Sequence, residues 1–273
     1  MSGKVYLVGA GPGDPELLTL KALRVLRQAD VILHDDLVTA SVLELALPGT
    51  RLINVGKRCG PKKISQEEIN TMLIDYARIG LEVVRLKGGD PLLFGRAGEE
   101  LEALRRAGIR FEIVPGVTAA VAAAAAAEIP LTHRDLASAL VFLTGHPAGG
   151  KAAGERPPLD GSRGKPPNST VVVYMPGPGN ARLRDRLLAM GFKSHTPCLI
   201  VSGASTASCR THRTTLADLP AAPPLDPPRI LIVGEVAALA RPQGAARPAL
   251  ASESAARRPE SLPVDASSMV SRS

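Results

Sequence analysis

Three glycine-bearing turns hold residues whose types and spacing could do chemistry: Gly9-Ala10-Gly11-Pro12-Gly13-Asp14, Gly88-Gly89-Asp90-Pro91 and Pro115-Gly116-Val117-Thr118-Ala119. A glycine at the end of a strand lets a ligand approach the backbone with no Cβ in the way. The first turn has the outline of a dinucleotide fingerprint, but that motif needs a third glycine where Asp14 stands. An acidic side chain there repels a pyrophosphate, which argues against NAD(P) or FAD. In the second turn the Asp90 carboxylate suits a pair of hydroxyls or a cationic centre. The same residues also make an ordinary strand-to-helix turn, although parallel α/β sheets collect ligands at such strand ends. The third turn opens a helix made almost entirely of alanine, which could lie close against a flat ligand or simply against another element.

These turns need elements to hold them, and hydrophobic periodicity supplies the elements. Residues 5–8 read as a buried strand. Asp14 as N-cap and Pro15 at the first helical position open a helix whose apolar face is Leu17, Leu18, Leu20, Leu23, Val25 and Leu26. Residues 31–33 form a second strand. Ser65 and Glu68 have the spacing of a capping box and open a helix through Ile69, Met72, Leu73 and Tyr76 to Gly80. A strand over 82–86 is broken by the second glycine turn. A helix from about 96 to 107 stops at Gly108, and 111–114 is again strand. This alternation predicts a mainly parallel sheet covered by helices.

After Pro115 the pattern changes to an alanine helix over 118–128 and strands near 140–143, 171–174, 198–201 and 230–233. The stretch 147–169, rich in Gly, Pro and Lys and without periodicity, reads as a mobile loop. The expected organisation is an α/β chain with one domain over 1–115, a second over 116–241 and a disordered tail over 242–273.

Composition narrows the function classes. Aromatic residues make up 3% of the chain, with no Trp, which argues against a base-stacking surface for nucleic acid. The net charge of +7 fits a polyanionic partner, but Arg247, Arg257, Arg258 and Arg272 place part of it in the tail. Cys59, Cys198 and Cys209 are widely spaced and odd in number, with neither zinc nor disulfide spacing, as in a reducing compartment. No apolar run approaches a membrane span and no signal segment is evident, so a cytoplasmic location is expected. No pair of histidines has metal-site spacing, so no metal is expected. His34, His133 and His146 read as hydrogen-bonded structural groups.

Taken in order, the segments closely resemble the uroporphyrinogen-III C-methyltransferase family of tetrapyrrole methylases. The resemblance rests on the run from Val5 to Pro15, Val55-Gly56-Lys57-Arg58, Val84-Arg85-Leu86-Lys87-Gly88-Gly89-Asp90-Pro91 and Phe94-Gly95-Arg96-Ala97-Gly98-Glu99-Glu100. It continues through Val114-Pro115-Gly116-Val117-Thr118-Ala119, Ile129-Pro130-Leu131-Thr132-His133-Arg134-Asp135, Thr144-Gly145-His146, Tyr174-Met175 and Ile232-Val233-Gly234-Glu235-Val236. It implies a two-domain α/β fold with the active site in the cleft between the domains, and a homodimer. Pro12, Gly88, Gly89, Asp90, Thr118, Ala119 and Met175 match positions that line the S-adenosylmethionine site. The implied reaction is methylation of uroporphyrinogen III at C2 and C7 to precorrin-2, with S-adenosylhomocysteine as by-product.

The same resemblance sets expectations for the acceptor, which carries eight carboxylates. Lys57, Arg58, Arg96 and Arg134 fall in matching motifs and could pair with them, the arginines through two parallel hydrogen bonds. Arg96 matches a position considered catalytic. A guanidinium is a poor base, so clamping of the acceptor is the better role, with Glu99 one helical turn on to orient it. An ordinary surface ion pair would look the same. Asp35 keeps an acidic position that could touch the acceptor, and Met175 could touch both substrates. Departures from the family pattern are the segment 149–169, the stiff Pro176-Gly177-Pro178-Gly179 and Arg229 before the last strand. Rival readings are methylation of a later corrin precursor and a donor-binding relative without turnover.

Overall fold

The sheet order determines which turns meet. In the computed structural model, which describes residues 3–56, 64–145, 168–177 and 179–241, the strands fall into two five-stranded sheets. The first has the order β3-β2-β4-β1-β5, from β1 (Lys4–Gly9), β2 (Val31–His34), β3 (Arg51–Asn54), β4 (Glu82–Lys87) and β5 (Arg110–Val114). All its pairings are parallel, and β1 runs in register with both neighbours: Val5 lies opposite Val83 on one side and Phe111 on the other. Because β4, β1 and β5 are adjacent, the turns that leave their carboxyl ends are adjacent too. Val5, Leu7, Val83, Val84 and Leu86 are fully buried, as strands covered on both faces require.

Helices α1 (Leu20–Gln28), α2 (Ala40–Leu43), α3 (Gln66–Arg78) and α4 (Ala97–Arg106) connect these strands. The α3 capping box is complete: Ser65 Oγ accepts from Glu68 N, and Glu68 Oε2 accepts from Ser65 N. The helix expected from Asp14 is corrected. Asp14 caps only a 3-10 turn, Pro15–Leu17; Leu18 is extended, and Thr19 Oγ1 accepts from Ala22 N to start α1 afresh. The restart changes the phase of the helix. Ala22, Val25 and Leu26 face the core, whereas Leu20, expected on the apolar face, is 87% exposed.

The second sheet has the order β6-β7-β10-β8-β9, from β6 (Ala139–Thr144), β7 (Ser169–Tyr174), β8 (Pro197–Ser202), β9 (Arg210–Thr215) and β10 (Arg229–Val233). Here β6 and β7 are parallel and the other pairs antiparallel. Helix α5 (Ala119–Ala126) packs Ala120, Ala123 and Ala124 against Val172, Val201 and Ile232 of this sheet. The flat partner of the alanine helix is therefore the sheet itself. Helix α6 (Asn180–Ala189) covers the other face through Leu183 and Leu187. Cys198 is a buried thiol in β8. The expected loop over 147–169 falls mostly outside the described residues, with Ser169 already in β7, and the expected tail lies outside them as well.

Candidate active site

At the carboxyl ends of β4, β1 and β5 the three glycine turns join into one backbone surface. Gly11 N donates to Gly89 O at 3.2 Å and Gly89 N to Gly11 O at 2.7 Å, closing an antiparallel bridge between the first and second turns. Gly9 must lack a side chain, because its Cβ would stand 2.6 Å from Gly89 O and 2.7 Å from Gly116 Cα. Asp90 ties the second turn to the third: its Oδ2 accepts from Gly116 N at 3.0 Å, while Oδ1 accepts from Leu92 N at 2.9 Å. Asp90 thus has a structural duty that the sequence did not reveal. Gly89 has φ +68°, a backbone that favours glycine, and a Cβ there would point toward the third turn, 3.7 Å from Ala119 N and 3.9 Å from Thr118 Cα. The surface of the joined turns is backbone amide and carbonyl rather than side chain, a chemistry that fits the hydrogen-bonding groups of S-adenosylmethionine. Gly88 backs onto Leu37, and Pro12 is half-buried in the first turn.

The mixed sheet closes the other side. Tyr174, the last residue of β7, sets its hydroxyl 2.6 Å from Thr118 Oγ1 and its ring 5.0 Å from Phe94 and 5.6 Å from Phe142. Burial raises the pKa of the Tyr174 phenol, with the Thr118 hydrogen bond opposing the rise. The contacts with Phe94 and Thr118 bridge the two halves of the chain. Phe94, Arg96 and Met175 all have left-handed backbones, with φ of 53°, 57° and 49°. Such residues cost about 1–3 kcal/mol each and gather where function requires them. Met175 is 44% exposed beside this bridge. Arg229, noted as a departure from the family pattern, donates from Nη2 to Gly177 O at 2.6 Å and so holds the segment after Met175.

Arg96 and Glu99, expected either to act together or to form a surface ion pair, are joined by two bonds, Nε to Oε1 at 2.8 Å and Nη2 to Oε2 at 2.6 Å. These hydrogen bonds hold the Arg96 pKa above its usual value. Both side chains are about half exposed, at 45% and 51%. Arg134 is exposed on the turn from His133 to Ala137, where His133 Nδ1 accepts from Asp135 N, in keeping with a structural histidine. Lys57, Arg58 and His146 lie outside the described residues.

Asp35, at the end of β2, accepts from Arg85 Nη2 at 2.5 Å. This bond leads into a buried network that the sequence reading missed. Arg85 Nε donates to Glu100 Oε1 at 3.0 Å, and its Nη1 donates to the carbonyls of Leu33 and Leu86. Lys87 Nζ donates to both Glu100 oxygens, at 2.9 and 2.8 Å, and Gln66 Nε2 donates to Oε1 at 3.2 Å. Glu100 has no exposed surface and Lys87 has 2%. Burial, helped by Arg85 alongside, lowers the Lys87 pKa against the opposing pull of Glu100. A signal was available: Arg85 and Lys87 interrupt a strand buried on both faces, where a charge must find a partner.

Comparison with known proteins accords with this architecture. Residues 4–220 match the model of the Tetrapyrrole (Corrin/Porphyrin) Methylases, and the chain belongs to that family. It is 47% identical over 241 residues to the Uroporphyrinogen-III C-methyltransferase of Paracoccus denitrificans, covering 87% of this chain and 83% of that protein. It is also 47% identical over 239 residues to the Siroheme synthase of Tolumonas auensis, covering 87% of this chain and 50% of that one. The chain thus spans about half the length of the siroheme synthases it matches. Among solved structures, the Uroporphyrin-III C-methyl transferase of Thermus thermophilus complexed with S-adenyl homocysteine aligns with TM-score 0.72 and 42% identity, over 87% of this chain and 94% of that one. The fold is the two-domain tetrapyrrole methylase fold expected from the sequence.

Proposed function

We propose that this chain methylates uroporphyrinogen III at C2 and C7, using S-adenosylmethionine, to give precorrin-2. The observation that carries the reading is the joined backbone cradle of Gly11, Gly89 and Gly116, closed by Thr118 and Tyr174. Two relatives support it: the Paracoccus methyltransferase at 47% identity and the Thermus structure that holds the demethylated donor. Bound S-adenosylmethionine would supply an electrophilic methyl group on a sulfonium that leaves readily. The residues that would hold it are Pro12, Gly88, Gly89, Asp90, Thr118, Ala119 and Met175.

The nucleophile is a pyrrole β-carbon made electron-rich by its ring nitrogen, so no side chain need form a covalent bond. The protein's task is then alignment and electrostatics. Arg96 can exchange Glu99 for an acceptor carboxylate, because the pair is exposed and two-pronged. Asp35, the partly exposed end of the buried network, follows β2 in the same parallel sheet as the glycine turns and could meet the acceptor, and Lys57, Arg58 and Arg134 would add positive charge around it. A division at 115/116 is part of the reading, supported by Val114 ending the last strand of the parallel sheet while α5 packs on the mixed one. The reading includes a homodimer and a cytoplasmic location; no helix among the described residues is long and apolar enough to cross a membrane.

Anaerobic incubation with uroporphyrinogen III and S-adenosylmethionine tests the proposal. Two added methyl masses with a precorrin-2 or sirohydrochlorin spectrum are expected. No product, with S-adenosylhomocysteine still bound, would move the acceptor to a later corrin precursor or make the chain a non-catalytic relative. In Gly89→Val the new side chain enters the cradle, so S-adenosylhomocysteine binding should vanish by calorimetry. Unchanged affinity would show that the turn is structural only.

A further inference from the structure

The methyl-transfer reading leaves the buried charges beneath the second glycine turn without a role. Lys87 closes β4 just before that turn, and Glu100 sits in the first part of α4 just after it. The Lys87 side chain passes directly under the segment: a Cβ on Gly95 would stand 3.1 Å from Lys87 Cε. Phe94 and Arg96 flank Gly95, both left-handed, a state that persists only where the surroundings over-determine it. An ion pair joining the two ends of the segment, with its lysine stem as the floor, is such a surrounding.

We propose that Lys87 and Glu100 are positioning residues, whose buried ion pair fixes the segment between β4 and α4 so that Phe94 meets Tyr174 and Arg96 is presented to the acceptor. The kinetic part of this claim rests on the methyltransferase reading; the structural part does not. A buried pair that served stability alone could be exchanged for neutral side chains without functional loss. The network allows that exchange to be made cleanly. Arg85 and Asp35 still balance each other when Lys87 and Glu100 are neutralised together, whereas either single change leaves a charge without its counterpart.

The test compares wild type with Lys87→Met/Glu100→Gln and with Glu100→Asp, which keeps the charge but is one methylene shorter. The chain has 3 Tyr and no Trp, so near-ultraviolet circular dichroism reads tyrosine packing, and Tyr174→Phe identifies the share due to Tyr174. Both variants should lose that share while remaining folded, and kcat should fall by about 100-fold, the penalty of a misplacement near 1 Å. Affinity for S-adenosylhomocysteine should change little, because the bridge between Gly11 and Gly89 and the bond from Gly116 to Asp90 do not involve the pair. A double variant that melts like wild type yet lacks the tyrosine signal and turnover excludes a purely stabilising role. The wild-type tyrosine band together with wild-type kcat in either folded variant overturns the proposal. If wild type itself makes no methylated tetrapyrrole, the function reading fails instead, and the tyrosine band alone then decides the positioning claim.

Discussion

Glu99 and Glu100 are neighbours on one helix and each holds a cation through both carboxylate oxygens, yet they occupy opposite electrostatic worlds. Glu99 and its partner Arg96 are about half exposed, at 51% and 45%, while Glu100 is fully buried against Lys87 and Arg85. An exposed pair contributes about 0.2–1 kcal/mol because water competes for both partners. On the proposed reading that weakness is useful, since Arg96 would lose little by turning to an acceptor carboxylate. In the buried pair each ion has been stripped of water, and neither can be left alone cheaply. One pair can therefore trade partners while the other holds a shape, and the helix that carries both places them a single residue apart.

Breaking the buried side should give the largest effect. Glu100→Gln leaves Lys87 and Arg85 facing a single carboxylate, Asp35, and should destabilise the fold by about 3–5 kcal/mol in urea titrations. A loss below about 1 kcal/mol would mean that water reaches the site and that the two glutamates are not so different. Breaking the exposed side should do the reverse. Arg96→Lys should shift stability by less than about 1 kcal/mol, because only a surface pair is weakened. Turnover should nevertheless drop at least about tenfold, since an ammonium cannot form two parallel bonds to a carboxylate. Near-wild-type rates would end the clamping role for Arg96.

The exposed pair was legible in the sequence and the buried one was not, for a physical reason. Arg96 and Glu99 are three residues apart, near enough in sequence to meet before any fold is known, although Arg96 is left-handed and precedes α4 rather than lying on it. Glu100 meets Arg85 and Lys87 across two elements, and no spacing rule relates a strand residue to one on the following helix. The glycine turns were legible because backbone contact tolerates nothing larger, and the α3 capping box because it is local. That the turns meet was not written in any one of them; it follows from the strand order β4-β1-β5. The polar edge strands β3 and β9 escaped notice because an edge needs little apolar surface, and Leu20 was misplaced because Thr19 restarts the helix.

A third carboxylate gives the comparison an intermediate point and the smallest expected effect. Glu112 on β5 accepts from Lys21 of α1 and from Lys4 of β1, with 29% of its side chain exposed. The two lysines, Lys21 foremost, hold its pKa down at about 2 from the ordinary 4.5. A carboxyl whose folded pKa is depressed adds stability above its unfolded pKa and loses it as pH falls through the folded value. The contribution of Glu112 should therefore be complete above pH 4.5 and fade as the pH approaches 2. Wild type minus Glu112→Gln, from urea midpoints at several pH values, should give a difference that is flat near neutrality and shrinks in acid. Its plateau should stay under about 1 kcal/mol, because water screens this clamp. The plateau should also shrink in 1 M salt, where charges are screened beyond about 3 Å, whereas the cost of Glu100→Gln should barely respond to salt. A salt-insensitive Glu112 would place it with Glu100, and exposure would then no longer be what separates the carboxylates of this protein.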